Sequence, residues 1–326
     1  MCNFSVKAYH SDFKNQWDEF VATAKNATFL FQRDFMDYHK DRFNDNSLMI
    51  YKDSDLFALL PAISVGNILY SHQGLSYGGL LLKKDCKFKN VLDAFKLLLK
   101  YLYENNIETL ELKLLPKMYH KLPSDEIDYL LFKVDAQCIR RDISAVIDFR
   151  EPLKISSSNR KRNLKKAMSN DIKVKEVEDF EAFFHKILIP NLKERHEALP
   201  THNLNDIRKL KTAFPKRIRQ FNAYHHEGII AGVTIFESEF VAHAQYISTL
   251  DSKKELAGLD AIFDQLIHTI FINKRFFSFG ISNEHQGQHL NQGLLKWKES
   301  FGARAIVHDF YKVNTKNYNR LNDVWL

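Results

Sequence analysis

Cysteine is scarce in this 326-residue sequence: Cys2, Cys86 and Cys138 are odd in number and far apart. That pattern argues against a disulfide framework and against a zinc site, both of which need clustered or paired thiols. Histidine does not supply a metal site either. His225-His226 and the His285/His289 pair have no His-Glu-x-x-His pattern and no third ligand beside them, so no metal is expected. Long apolar runs are missing as well. The longest, Leu56 to Val65, is broken by Pro61 and is too short to cross a bilayer. Met1 to Asp12 is mixed and polar, so no secretory leader is expected and the protein reads as cytoplasmic. Low-complexity segments and Pro-rich linkers are absent.

What is present belongs to a globular protein of two ordinary domains. Hydrophobic residues make up 45% and charged residues 27%, and 26 phenylalanines favour deep packing. Charge is divided unevenly. Residues 1–148 hold 19 Lys and Arg against 20 Asp and Glu, whereas residues 149–326 hold 28 against 20. An anionic ligand is therefore expected in the second half, whether CoA, a nucleotide sugar, a lipid phosphate or tRNA.

Both halves follow one plan of helices, then strands, then alternating helix and strand. The first has helical patterns over Asp12–Lys25, Gln32–Arg42 and Val91–Glu104, with strands at Leu48–Tyr51, Leu56–Ile63, Thr109–Leu114 and Ser144–Phe149. The second has helices near Phe180–Glu197 and Asn205–Phe214, strands at Ile218–His225 and Ile229–Phe236, and a hairpin turn at Glu227-Gly228. The fold class is α+β, two similar lobes of mixed sheet flanked by helices, at 1–149 and 150–326.

The most informative stretch is His243 to Tyr311. Val241–Thr249 alternates as a strand, a polar loop follows, and Gly258 opens a periodic helix carrying Leu259, Ile262, Phe263 and Leu266. Small residues at such a handover leave backbone N–H groups free, and with the helix dipole they suit a pyrophosphate. Glycine there also has a plain steric use. Phe276–Ile281 reads as a buried strand, His289–Ser300 as a helix closed by Gly302 at its C′ position, and Ala305–Tyr311 as a final strand.

These residues resemble the GNAT acyltransferase superfamily, and more narrowly its FemAB-like branch of tandem GNAT lobes. Asn291 and Gly302 stand at the spacing of the Asn-(x)6-Tyr helix of GNAT proteins, with Lys298 in the tyrosine position inside Lys298-Glu299-Ser300-Phe301-Gly302-Ala303. A second anchor is Ser156 to Ala167, similar to the basic helix that begins the second FemAB-like lobe. From Lys154 to Lys175 there are eight Lys or Arg and one acid, Asp171. The first half matches through its general pattern and the Ser76-Tyr77-Gly78-Gly79-Leu80 stretch. One departure is the phosphate loop: with Gly258 as its central glycine, the flanking positions are Glu255 and Asp260, both acidic.

The resemblance implies an acyl transfer onto an amine, from acyl-CoA or, as in FemAB proteins, from aminoacyl-tRNA. It casts Lys298 as the group that compensates the leaving group or oxyanion, and the backbone of Ile247, Ser248 and Thr249 as the donor's seat, with Gly258, Leu259 and Asn291. The alternatives are a solvated lysine and an ordinary sheet ladder. Glu284 and His285 follow a strand's carboxyl end, where ligands gather, and either suits a base; loop capping is the bland alternative. His243 is a reserve base, and Tyr246, on the opposite strand face, is a candidate substrate contact. Arg160, Lys161, Arg162, Lys165 and Lys166 read as a phosphate clamp, with a solvated charged face as the alternative, and Tyr77 as a wall of an acceptor pocket or a tight turn. The expected function is an N-acyltransferase using acyl-CoA on an amino sugar of a cell-envelope or surface-polysaccharide precursor. The alternatives are an aminoacyl-tRNA-dependent transferase acting on a peptidoglycan precursor, and a non-catalytic anion- or nucleic-acid-binding module.

Overall fold

The structure, a computed structural model, describes residues 3–153, 157–226 and 228–326. Cys2, the start of the basic run at Lys154 and Ser156, and Glu227 of the expected hairpin turn lie outside the described residues. The chain divides into two compact units, Met1–Asp142 with Val307–Leu326, and Ile143–Ile306.

The first unit opens with β1 (Phe4–Ala8), α1 (Lys14–Thr23) and the short α2 (Arg33–Met36). There follow β2 (Leu48–Lys52), β3 (Asp55–Leu60), β4 (Ile63–Val65), β5 (Ile68–Tyr70) and β6 (Leu81–Leu82). The unit continues through α3 (Phe88–Glu104), β7 (Thr109–Lys113), α4 (Glu126–Lys133) and the first half of β8 (Gln137–Asp148). In the second unit come α5 (Ser158–Ser169), β9 (Lys173–Val177), α6 (Glu181–Phe183), α7 (Ile189–His196) and α8 (Leu204–Ala213). Then β10 (Ile218–His225), β11 (Gly228–Glu237) and β12 (Val241–Thr249) lead to α9 (Gly258–Gln265) and β13 (Phe276–Ile281). A small ladder of β14 (Asn283–Glu284) and β15 (His289–Leu290) precedes α10 (Gln292–Glu299), and β16 (Arg304–Asn314) carries the chain back into the first unit.

Each unit is a mixed sheet with helices against it. In the first, β1-β2-β3-β6 form one sheet, and β4-β5-β7-β16 run in order beside the start of β8. In the second the order is β8-β13-β12-β11-β10-β9. The first core is built on α3, whose Val91, Leu92, Phe95, Leu98, Leu99 and Leu102 recur at helical spacing and are buried. Asn106 in the left-handed region ends that helix, with the Ile107 N–H bonded to the Leu102 carbonyl at 2.9 Å. The second core gathers Ile262, Phe263, Leu266 and Ile267 of α9 and its continuation against Phe221, Val233, Phe277 and Phe279.

Several boundaries differ from the sequence reading for identifiable reasons. Pro61 splits the expected Leu56–Ile63 strand into β3 and β4, since it cannot donate to a ladder. The expected helix over Gln32–Arg42 keeps only α2 and a 3₁₀ turn, Asp37–His39, and Arg33 of α2 faces inward. Its guanidinium is buried against Asp37 and Asp45, at 2.5 Å each, and lies 3.9 Å over the Tyr9 ring. Chain crossings fall inside β8 and β16.

Gly78 has little room for any side chain, because a Cβ there would come 1.8 Å from the Ser71 carbonyl oxygen. The neighbour is backbone and is held on both sides, so it cannot give way. Gly78→Ala is expected to lower the apparent melting temperature by about 5 °C or more, the cost of overpacking at a tight backbone approach. Calorimetry on the purified variant measures it, and an unchanged melting temperature would remove this approach as a constraint on the first unit.

Candidate functional site

The site begins with a sheet that comes apart. β12 and β13 run parallel, but their pairing stops after Val241–Phe276, Ala242–Phe277 and His243–Ser278. Beyond that point β12 stays on β11 as far as Thr249, while β13 stays on β8, which it pairs on its other edge from Phe276 to Ile281. Each strand is held on its far edge, and where their own pairing ends a wedge opens between them. Along a strand, alternate N–H and C=O groups point to opposite edges, so β12 from Ala244 onward presents part of its backbone to that wedge.

Two irregularities mark the opening. Tyr246 faces Thr234 and Ala244 faces Ile235, which leaves Gln245 as the extra residue of a bulge in β12. Gln245 Oε1 is buried without a hydrogen-bond partner. In β13 the register slips between Ser278 and Ile281, and Gly280 takes φ +72°. Glycine adopts that backbone without the steric cost of a Cβ, and a Cβ there would also come 3.3 Å from the His243 ring.

Three side chains converge here. His243 Nδ1 lies 3.1 Å from Ser278 Oγ, which also accepts the Gly280 N–H at 3.2 Å. From α10, Lys298 reaches back and donates its ammonium to the Gly280 carbonyl at 3.1 Å and the Ile281 carbonyl at 2.6 Å. Lys298 is 2% exposed. Burial pushes its pKa down to about 8, because two neutral carbonyls replace water only in part. Burial, and then the charge of Lys298, pushes His243 down to about 4. At neutral pH the pair is a neutral imidazole beside a weakly held ammonium proton. In the tautomer whose Nδ1–H donates to Ser278, Nε2 carries a free lone pair.

Other expected site residues have different surroundings. Asn291 caps α10, accepting the Leu294 N–H at 2.9 Å and donating to Glu284 Oε1 at 2.9 Å. That cap is why the helix starts at Gln292 and not at His289. Glu284 and His285 are exposed, the latter beginning a turn with Gln286 and Gly287 in which all three have positive φ. Ser248 Oγ and the Thr249 carbonyl both accept from Asn191 Nδ2 at 2.7 Å, Thr249 Oγ1 donates to the Ile230 carbonyl, and Ile247 is half-buried. Tyr246 is buried beside Phe184 and His202, where its hydroxyl meets His202 Nδ1 at 2.7 Å and the His202 N–H at 3.0 Å. Tyr77 is in the core of the first unit, its hydroxyl 2.9 Å from Thr28 Oγ1 and its pKa raised by burial.

The start of α9 and the basic helix α5 belong to one structure. Gly258 is buried, and a Cβ on it would come 2.9 Å from Ile230, so the steric use of this glycine is real. Leu259, next to it, packs partly buried against the same core. Asp260, in the first turn of α9, receives Arg160 Nη1 at 2.5 Å and Asn163 Nδ2 at 3.3 Å, and it also accepts its own backbone N–H. Arg160 lies 5.1 Å over the Phe301 ring and is 7% exposed. Burial raises the Asp260 carboxyl, and the Arg160 charge opposes the rise. The expected clamp therefore divides. Arg160 ties α5 to α9, while Lys161, Arg162, Lys165 and Lys166 are on its solvent side, all exposed.

Sequence reasoning missed Ser278 and the pairing of Arg160 with Asp260. A lone serine among Phe276, Phe277 and Phe279 was the available signal for the first; nothing local signalled the second, whose partners are 100 residues apart. Among the described residues no group of three or more His, Cys, Asp or Glu is arranged to hold a metal ion.

No family model matches the sequence, and no curated protein matches it. Solved structures do resemble it. FemX aligns at 10% identity over 96% of this chain and 99% of its own, with a TM-score of 0.66. The C-terminal domain of a putative lysylphosphatidylglycerol synthetase from Agrobacterium fabrum aligns at 8% identity over 95% of each chain, with a TM-score of 0.60. A tandem GNAT protein from the clavulanic acid biosynthesis pathway aligns at 10% identity over 97% of this chain and 99% of its own, with a TM-score of 0.53. The likeness at such identities is one of fold, and the fold is the tandem GNAT, FemAB-like one.

Arg160→Met strands the Asp260 carboxyl in the interior and is expected to cost about 3–5 kcal/mol of stability. Replacing both, as Arg160→Met with Asp260→Leu, is expected to recover most of the loss. Urea unfolding of the two single variants and the double variant measures this. A neutral Arg160→Met would instead return Arg160 to ligand binding.

Proposed function

We propose that the second unit is the catalytic half of a transferase that moves an acyl group from an activated donor onto an amine. The observation that carries this is the pair at the mouth of the wedge, a neutral His243 held by Ser278 and a buried Lys298 with its pKa near 8. Aminolysis of an ester or thioester needs the amine to lose a proton, the carbonyl oxygen to meet donors, and the leaving atom to gain a proton. His243 Nε2 is suited to take the amine proton, and the Lys298 ammonium to return one to the leaving oxygen or sulfur. The unpaired backbone edge of β12 is suited to align the donor as an added strand. Glu284 is the weaker base, since it is exposed and already accepts from Asn291.

In the first reading the donor is acyl-CoA and the acceptor an amino sugar of a cell-envelope or surface-polysaccharide precursor. It rests on the wedge, Asn291 and Gly302. A second reading, with aminoacyl-tRNA as donor and a peptidoglycan precursor as acceptor, is favoured by the start of α9. A pyrophosphate would need the first-turn N–H groups and the positive end of the helix dipole, and Asp260 with Arg160 and Asn163 already fills that turn. The solvent-facing cations of α5 suit a polyanion over a single diphosphate.

Two measurements test the proposal. Thermal shifts with acetyl-CoA, CoA and charged and uncharged tRNA discriminate the donors, since a ligand of the native state raises the melting temperature by mass action. Stabilisation by tRNA alone selects the second reading, by CoA species the first, and silence from all leaves a non-catalytic module. With the donor known, the rate is expected to fall as pH rises through about 8, where Lys298 loses its proton, and as pH falls toward about 4, where His243 gains one. Lys298→Arg keeps the charge and should carry the alkaline limb upward, whereas Lys298→Met should lower kcat roughly 100-fold. An alkaline limb that ignores both substitutions would exclude Lys298 from proton transfer.

A further inference from the structure

The first unit repeats the parallel pair of the second. β5 and β7 pair through Ile68–Thr109, Leu69–Leu110 and Tyr70–Glu111, three residue pairs as in β12 and β13. Past these pairs the two units part ways. The Ser71 N–H bonds the Glu111 carbonyl, the Lys113 N–H bonds Ser71 Oγ at 2.8 Å, and the Gly78 N–H bonds the Lys113 carbonyl at 2.6 Å. The chain's own residues 71–78 thus lie along the edge of β7, where the second unit has a wedge. A donor laid along a strand edge has no place there.

Beyond that edge, at the carboxyl end of β7, one face of the neighbouring strands β7, β16 and β8 gathers a charged cluster. Phe310 is the register partner of Lys113, and His308 lies two residues before it on the same face. Lys113 Nζ donates to the Leu75 carbonyl at 2.7 Å and lies 5.9 Å from the Phe310 ring centre. Arg140 lies 4.6 Å over that ring and binds Asp142 in two-pronged fashion, Nε to Oδ1 at 3.0 Å and Nη2 to Oδ2 at 2.7 Å. His308 is 7% exposed, its ring 4.7 Å from that of Phe310, and its Nε2 is buried with no hydrogen-bond partner. Lys113 and Arg140 are both half-buried and open to solvent on one side.

Among the described residues Lys113 and Arg140 gather here with the Asp142 carboxylate, and the buried His308 Nε2 has no hydrogen-bond partner. Lys113 uses one of its three donors. Burying such groups costs free energy that only a partner returns. We propose that the carboxyl end of β7 in the first unit is a binding site for an anionic oxygen group, a phosphate or a carboxylate, held by Lys113 and Arg140 with His308 Nε2–H as a further donor. The position agrees with where ligands collect in mixed sheets, outside the carboxyl ends of parallel strands. Burial, followed by Arg140, presses Lys113 down to about 8, and burial followed by Lys113 presses His308 down to about 4. A bound anion reverses both pressures. The site stands independently of any chemistry in the second unit.

The test uses the full chain with isotope-labelled histidine, His308 being assigned by loss of its signal in His308→Gln. Pyrophosphate and citrate are titrated separately, one arm for each anion class. A saturable shift of the His308 ring signals is expected with at least one of them, abolished in Lys113→Met and retained in Lys161→Met, whose side chain is on the exposed face of α5. A response to pyrophosphate alone identifies phosphate, and to citrate alone carboxylate. Should Lys113→Met fail to fold, ¹³C-methylated lysine in the otherwise native chain reads the same amine, whose pKa must rise above about 8 as the anion saturates. No saturable shift at His308, or one that survives loss of Lys113, overturns the site.

Discussion

The divergence of β12 from β13 after three residue pairs is the constraint on which the second unit turns. Neither strand is frayed: each finds partners elsewhere, β12 with β11 and β13 with β8. The wedge is therefore held open by the sheets on either side of it. It also creates a difficulty, since carbonyls at the end of β13 would be left without partners. Lys298 resolves it by donating to two of them, Gly280 and Ile281, from the neighbouring helix. The same contact that finishes the sheet brings an ammonium to the mouth of the wedge and strips it of water, which is why its proton is weakly held. Structural need and chemical aptitude thus rest on one side chain.

Around this, the second unit uses charge in two ways. Arg160, Asp260 and Asn163 form a closed polar knot that fastens α5 to the start of α9, and its charges are spent on one another. Lys161, Arg162, Lys165 and Lys166, on the remaining faces of the same helix, are turned toward solvent. A helix that looks uniformly basic is in effect a structural clasp on one side and a cationic surface on the other. The first unit has its own version of the parallel pair, closed by residues 71–78, with Lys113, Arg140, Asp142 and His308 gathered past its end. The two units share a plan and differ in what occupies the same topological position.

The sequence was legible where a single element states its own pattern. The alternation of Val241–Thr249, the helical spacing in α3 and α9, the aromatic strand β13 and the glycine that closes α10 were all readable, because side-chain period and turn chemistry are local properties. Lys298 was singled out through its place relative to Asn291 and Gly302, by resemblance. Edge strands β1 and β9 were not foreseen, being short and poor in buried residues, and the expected helix at Gln32–Arg42 is only partly helical. Tyr77 and Tyr246 illustrate the limit from the other side. Both were candidates to line a substrate pocket, yet each is buried with its hydroxyl against a neighbour, Thr28 and His202.

By itself, then, the sequence determined the kind of element at most positions, the basic excess of the second half and the residue types available for proton transfer. Only the tertiary structure decided which charges are spent and which are available. That decision depends on partners remote in the chain: Asp260 for Arg160, Ser278 for His243, the end of β13 for Lys298, and β7 against β8 and β16 for the cluster around Lys113. Burial and long-range pairing set the protonation of these groups, and neither is a property of a local stretch of chain.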